Sequence, residues 1–390
     1  MTIAIAGGGI AGLAAAIALA GARHDVMVFE EADAFAAAGA GVQIGPNGVR
    51  ALRRLGAWDA LGPRTVEPRR MMISDGLNGR TLKEIALAAF ADRYGAPYRV
   101  AHRGDLLAAL LATARAMPGI ELRTGVAVTG FGSGSGRAVV DLEPGGAFEA
   151  AALLGADGIK SAVRDSLLGP APPAFAGHVL YRALLPIEQV PDGTPTDCVA
   201  LWLYPGGHVV HYPVRGGEEM NIVVASESSR LAEGWGAPAS AAEVLACLPG
   251  AAPPLAAMLE APQEWRRWSA ADRPAAGRWG EGPVSLIGDA AHPVLPYLAQ
   301  GAVMALEDAV VLGHCVTIET TLEAGFRAYE RLRQPRVARL ARLSRRQGRL
   351  YHLGGALRLA RNAVLSAMPS DLFLARLDWL YSWQPPDVAQ

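Results

Sequence analysis

Thr2-Ile-Ala-Ile-Ala-Gly7-Gly-Gly9-Ile-Ala-Gly12 opens the chain, and Glu30 follows eighteen residues after Gly12. Thr2–Ala6 reads as a short apolar strand, Gly7–Gly9 as a turn, Ile10–Ala20 as a helix rich in Ala and Leu, and Asp25–Glu30 as a second strand. In this βαβ order the three glycines have separate roles. Gly7 allows the tight turn, Gly9 lets backbone approach a pyrophosphate, and Gly12 lets helix pack on strand. The helix start offers unpaired N–H groups and a partial positive charge to phosphate. Glu30, at the end of the second strand, can accept hydrogen bonds from a ribose. A dinucleotide site is therefore expected at the very start of the chain.

Working outward, Asn47–Leu55 reads as a helix closed by Gly56, and Leu106–Met117 as a helix stopped by Pro118-Gly119. From Ile120 to Ala156 alternating residues and Gly-rich turns suggest a strand meander. The Leu168–Pro173 stretch looks like a crossing into a second region. Beyond it Val199–Tyr204, His208–Val214 and Met220–Ala225 alternate as antiparallel strands, before an apolar strand at Val284–Ile287 and a long helical tail. The fold expected is α/β: a Rossmann-like dinucleotide-binding domain (1–67, 101–172 and 270–345), an inserted antiparallel-sheet substrate domain (68–100 and 173–269) and a C-terminal helical segment (346–390).

The chain has 390 residues, 51% hydrophobic and 19% charged, which fits a large buried interior. Its net charge of −1 gives no pull toward nucleic acid or an anionic membrane. The cysteines Cys198, Cys247 and Cys315 lack metal-ligand spacing, and so sparse a set suits a reducing, cytoplasmic setting. No metal site is expected. The eight arginines between Arg331 and Arg349 read as a solvated helix face, with docking of nicotinamide phosphates or of a partner chain left open.

The string Gly288-Asp289-Ala-Ala-His292-Pro293, with Pro296 and Gln300-Gly301 before a helix through Glu307-Asp308, is longer and more specific than the first motif. Here the sequence resembles the group A flavoprotein aromatic hydroxylases, which share the p-hydroxybenzoate hydroxylase fold. The branch it most resembles holds the salicylate, 3-hydroxybenzoate and 6-hydroxynicotinate hydroxylases. Two further stretches carry the likeness in the family's order: His102-Arg103-Gly-Asp105-Leu106, and Gly155-Ala-Asp157-Gly158 with Ser161 and Arg164.

The resemblance implies bound FAD. It assigns Asp289 to a ribityl hydroxyl and the helix start at Gly301 and Ala302 to the flavin ring. Residues 39–43, with Val42 and Gln43 as contacts, would lie along the isoalloxazine. Arg103, Asp157, Val126 and Ala11 would stand near the rest of the cofactor, with Glu30 and Glu31 at the adenosine end. It further implies NADH or NADPH as a transient co-substrate, O2, and a flavin C4a-hydroperoxide that hydroxylates a small hydroxylated aromatic or N-heteroaromatic acid.

His208-Val-Val-His211-Tyr212-Pro213 is the most informative stretch of the insert. On a strand His208 and Tyr212 share a face and His211 takes the other. The spacing looks like that of hydroxybenzoate and hydroxynicotinate hydroxylases, in which the matching His deprotonates the phenol. Moving a proton from a phenol to a His costs roughly 5 kcal/mol in water, so the pocket must bias the pair. His208 is the expected base, with Tyr212 and Gln300 orienting the substrate. An FAD-dependent dehydrogenase without oxygen insertion stays open as an alternative, and a homodimer is an expectation.

Overall fold

The computed structural model describes the chain except for residues 1, 36–39, 135, 230–235, 274–276 and 387–390. Thr2–Ala6 lies inside a six-stranded sheet whose order runs 280–281, 284–286, 152–155, 2–6, 25–29, 120–123. All pairs are parallel except the short 280–281 edge. Parallel strands are covered on both faces, which is why they read as unbroken apolar runs. The helix Ile10–Gly21 packs on this sheet so closely that a Cβ on Gly12 would lie 1.9 Å from the Gly7 carbonyl oxygen. Even alanine is thus excluded there without moving the helix.

An eight-stranded sheet forms a second layer, in the order 237–239, 265–272, 174–186, 219–227, 207–214, 198–204, 70–75, 81–86. It is antiparallel as expected, with one exception: Arg70–Asp75 runs parallel to Cys198–Tyr204. A small three-stranded meander spans 127–150, and Gly41–Ile44 pairs with Arg99–His102 as a separate ribbon. Gly41 N–H donates to Asn221 Oδ1 at 2.7 Å, which staples that ribbon onto the large sheet.

The arginine-rich helix, Leu322–Tyr351, departs from the expected solvated face. Arg333 is wholly buried, with Nη1 2.7 Å from Glu307 Oε2 and Nε 2.6 Å from Asp308 Oδ1. Arg336 adds a second guanidinium at 2.6 Å to Glu307. Glu307 and Asp308 sit on the helix Gly301–Ile318, so the arginines bolt two core helices together. That helix is long and apolar enough by composition to cross a membrane, yet 67% of the apolar stretch is buried inside the protein. Only further along do Arg342, Arg345, Arg346 and Arg349 line an open groove with Leu350 and Leu353.

Replacing Arg333 by Leu takes one charged partner from each of two buried carboxylates, so a loss of about 3–5 kcal/mol is expected. Chemical denaturation of the holoprotein measures it; a loss under about 1 kcal/mol would show that the network is not holding the helices.

Candidate active site

A cleft of ≈ 630 Å³ opens between the two sheets, a size typical of cofactor and substrate sites. One wall is the first βαβ turn. Gly7, with a φ of 96°, sits where a Cβ would lie 2.6 Å from the Ala156 carbonyl oxygen, while a Cβ on Gly9 would meet nothing within 4 Å. Gly9 therefore faces open space, whereas Gly12 only serves packing and stays out of the wall. Ala11, Glu30 and Glu31 also line the cleft. Glu30 is held by two backbone donors, Gly8 N–H at 2.7 Å and Ala32 N–H at 3.0 Å.

The second wall is the turn after Val284–Leu286. Asp289 lines the cleft, and burial raises its carboxyl pKa against the lowering influence of His292 and Arg103. Gly301 and Ala302 begin the long core helix at the rim, directing its positive end inward. His292, by contrast, is turned away: its Nε2 lies 2.5 Å from Asp308 Oδ2 and it serves the buried network. Asp157 also lines the cleft, just after the strand Ala152–Gly155. Its Oδ2 accepts from Val163 N–H at 3.1 Å, while its buried Oδ1 has no partner among the described residues. Arg164 donates to the carbonyls of Ala290 and Ala291, at 3.1 and 3.3 Å, tying this segment to the Asp289 turn.

Val42, Gln43 and Arg103 line the cleft, and Arg103 forms no ion pair among the described residues. Residue 39 lies outside the described residues. Two expectations are corrected. Val126 is not in the wall; its N–H donates to the Glu30 carbonyl at 3.0 Å and its side chain packs on the core, while Ala127 and Val128 line the cleft instead. Gln300 is buried with its Oε1 accepting from Asn47 Nδ2 at 2.9 Å, so its side chain is engaged away from the cleft. The apolar part of this turn facing the cleft is Val294 and Pro296.

The large sheet supplies the third wall. His208, Val210 and Tyr212 all line the cleft, as alternation requires. His211 points to the opposite face but is fully buried rather than solvated, stacked on Trp202, and burial lowers its pKa to about 4. Cys198 is buried off the cleft, its thiol pushed up to about 12, which leaves it inert.

One cleft residue carries no sequence signal of its own. Arg182 lines the cleft from the strand Ala174–Pro186. Its guanidinium stacks 4.6 Å from the Trp268 ring, its Nε has no hydrogen-bond partner among the described residues, and burial lowers its pKa to about 10. Across the sheet, Arg182 pairs in register with Val223 and Val223 with Val210. His208 stands in the adjacent row, beside Ala225 and Leu180. No motif marks Arg182; only its inward register among apolar alternating neighbours could have signalled it.

Residues 1–344 match the FAD binding domain family. The chain belongs to that family. It is 40% identical to the 3-hydroxybenzoate 6-hydroxylase of Klebsiella oxytoca over 98% of this chain and 97% of that one. It is 34% identical to the 6-hydroxynicotinate 3-monooxygenase of Bordetella bronchiseptica, over 88% and 90% of the two chains. The crystal structure of Klebsiella pneumoniae HpxO complexed with FAD and uric acid superposes with a TM-score of 0.86 at 27% identity, covering 97% of this chain and 96% of that one. The protein is an FAD-dependent aromatic monooxygenase, and these relatives do not favour the oxygen-free dehydrogenase alternative. The cleft suits FAD on its own terms: an open approach at Gly9, a helix start beside it, and two polar groups, Asp157 Oδ1 and Arg103, without protein partners among the described residues.

Gly9→Ala is expected to leave apoprotein stability unchanged while weakening FAD retention at least tenfold. Gly12→Ala should lower the melting temperature of the apoprotein itself. Thermal melts and flavin absorbance separate the two, and matching behaviour of both variants would contradict the distinct roles given to these glycines.

Proposed function

We propose that the enzyme hydroxylates a small hydroxylated aromatic or N-heteroaromatic acid, of the hydroxybenzoate, salicylate or hydroxynicotinate type, using NADH or NADPH and O2. The observation that carries this reading is one sheet face presenting a neutral imidazole, His208, and a cation, Arg182, with no ion-pair partner among the described residues, to the same cleft. Bound FAD would take electrons from the nicotinamide and activate O2 for insertion into the ring. The chain's own residues hold and prime the acid.

Arg182 is the group matched to the substrate carboxylate, because a guanidinium offers a charge-assisted, bidentate contact. Strands two apart are separated by roughly 10 Å, so a single ring spans the gap between Arg182 and His208 once both side chains reach inward. His208 accepts the phenol proton: burial and the neighbouring His352 and His178 lower its pKa well below 6.5, which leaves its imidazole unprotonated and able to accept, while the transfer itself must be favoured elsewhere in the pocket. The cation at Arg182 favours the resulting anion. Tyr212, whose phenol is pushed up by burial, stays protonated and donates. Asp289 would hold the ribityl chain, Asp157 and Arg103 the phosphate region, and Glu30 the ribose.

The location is taken as cytoplasmic, in keeping with three free cysteines. A homodimer is supported by exposed Leu357, Leu359, Val364 and Leu372 on the C-terminal helices.

The direct test is a panel of aromatic acids scored for stimulated NADH and NADPH oxidation, followed by product identification. Arg182→Met should raise KM for the acid roughly tenfold or more, as loss of a charged hydrogen bond of about 1.5–3 kcal/mol implies, with flavin content unchanged. The matching carboxamide should show no such change; equal loss for acid and amide would remove Arg182 as the carboxylate partner. Because His208 is depressed, kcat/KM for the acid should stay flat as pH falls from about 8 to about 6. An acidic limb near about 6.5 would show an ordinary histidine instead.

A further inference from the structure

Three histidines from distant parts of the chain meet on the sheet face that carries His208. His208 Nδ1 lies 2.9 Å from His352 Nε2, and His352 Nδ1 lies 3.1 Å from His178 Nε2. His178 Nδ1 in turn lies 2.9 Å from the Ala176 carbonyl oxygen. A carbonyl oxygen can only accept, so His178 Nδ1 carries a proton, and with one proton per ring its Nε2 accepts. His352 Nδ1 therefore donates, its Nε2 accepts, and His208 Nδ1 donates. The far end of the chain dictates every hydrogen-bond direction. His208 Nε2 is left with a free lone pair, and His208 lines the cleft.

Burial lowers the pKa of His208 and takes His352 to about 3, the latter assisted by the nearby His178 and Arg361, so both imidazoles are held neutral. Tyr297 stands edge-on to all three rings and Tyr351 to His208. The one carboxylate facing the cluster among the described residues is Glu227, whose Oε1 lies 3.7 Å from His352 Nδ1 and whose side chain is 60% exposed. The cluster thus touches the substrate cleft at one end and a solvated acid at the other.

We propose that His208, His352 and Glu227 form a proton relay, with His178 fixing its direction, that presents an unprotonated Nε2 to the substrate phenol and exports the phenol proton to solvent. It rests on His208 being the base proposed above. The phenol O–H bond breaks as an N–H bond forms at His208 Nε2. The proton on His208 Nδ1 passes to His352 Nε2, and the proton that His352 Nδ1 shares with His178 is released through water to Glu227, 3.7 Å away. Each imidazole ends neutral, one proton has moved from substrate to solvent, and no electrons change hands. His352 and His178 act through His208 and are positioning residues.

The test uses the holoenzyme mixed rapidly with 3-hydroxybenzoate, following phenolate absorbance and, with a pH indicator, proton release. His352→Gln retains one acceptor and one donor, so it preserves the hydrogen-bond directions, but an amide cannot pass a proton on. It should keep its FAD content and substrate affinity, slow proton release at least tenfold, and shift the hydroxylation profile to alkaline pH. Glu227→Gln, an exposed change that leaves the core intact, should also slow release several-fold. Wild-type release rates and pH profile in either variant would overturn the relay. His208→Asn keeps the two readings apart: if it retains the phenolate signal, the base assignment itself fails, whereas loss there with normal His352→Gln behaviour sinks the relay alone. Nitrogen and oxygen donors of His178, Glu227 and His352 lie within 4.8 Å of one another. Stoichiometric metal in the purified enzyme would therefore also overturn the relay, because a metal would occupy the lone pairs that the proton needs.

Discussion

Asp308 is wholly buried, and its carboxylate is held by three groups from two separate parts of the chain. His292 approaches from the Asp289 turn at 2.5 Å, Gly288 N–H from the same turn at 3.3 Å, and Arg333 from the long C-terminal helix at 2.6 Å. These donors hold its pKa down against the burial that opposes ionisation. Ionised carboxylates are costly to bury unless saturated in this way. The consequence reaches the cleft, because Gly288 and His292 bracket Asp289 in sequence. Fixing both fixes the turn that aims Asp289 and the helix start at Gly301 toward the cleft. Asn47 extends the same network, donating to Glu307 at 2.8 Å and to Gln300 at 2.9 Å, and so joins the residues just after the Val42–Gln43 strand to the opposite wall.

The substrate side is built by different physics. There the sheet provides a regular grid, and function depends on which inward positions are polar. Leu180, Val210, Val223 and Ala225 give the grid an apolar surface that excludes water. His208, Tyr212 and Arg182 are its polar points. Gly41 lets the Val42–Gln43 ribbon lie against Tyr212 and Asn221, since a Cβ there would come within 2.5 Å of the Tyr212 ring. The Gly41–Ile44 ribbon and the large sheet are therefore in direct contact, and a shift in either would be felt by the other.

How much of this is legible in the sequence follows from the range of each interaction. The βαβ turn, the Asp289 turn and the alternation of His208 with Tyr212 are local patterns, and they predict the elements and the faces. Arg182 is missed because a lone arginine on an alternating strand looks like any solvent-facing residue until the neighbouring strands are known. Gln300 and Val126 are misplaced because one residue of rotation on a turn or strand reverses a side chain, and sequence spacing does not fix that rotation. The arginine-rich helix is misjudged for a related reason: Arg333 and Arg336 are charged, but their partners Glu307 and Asp308 lie more than twenty residues away on another buried helix.

In the function proposed above, the cleft holds a phenolic acid between Arg182 and His208 while one oxygen atom enters its ring. Turnover under heavy-isotope O2, with NADH or NADPH and 3-hydroxybenzoate, tests it most directly by mass spectrometry of the product. One labelled oxygen on the ring, formed in step with nicotinamide oxidation, is the predicted result. Nicotinamide oxidation that ignores the acid and yields only hydrogen peroxide, with unlabelled acid recovered from every member of an aromatic-acid panel, would contradict it.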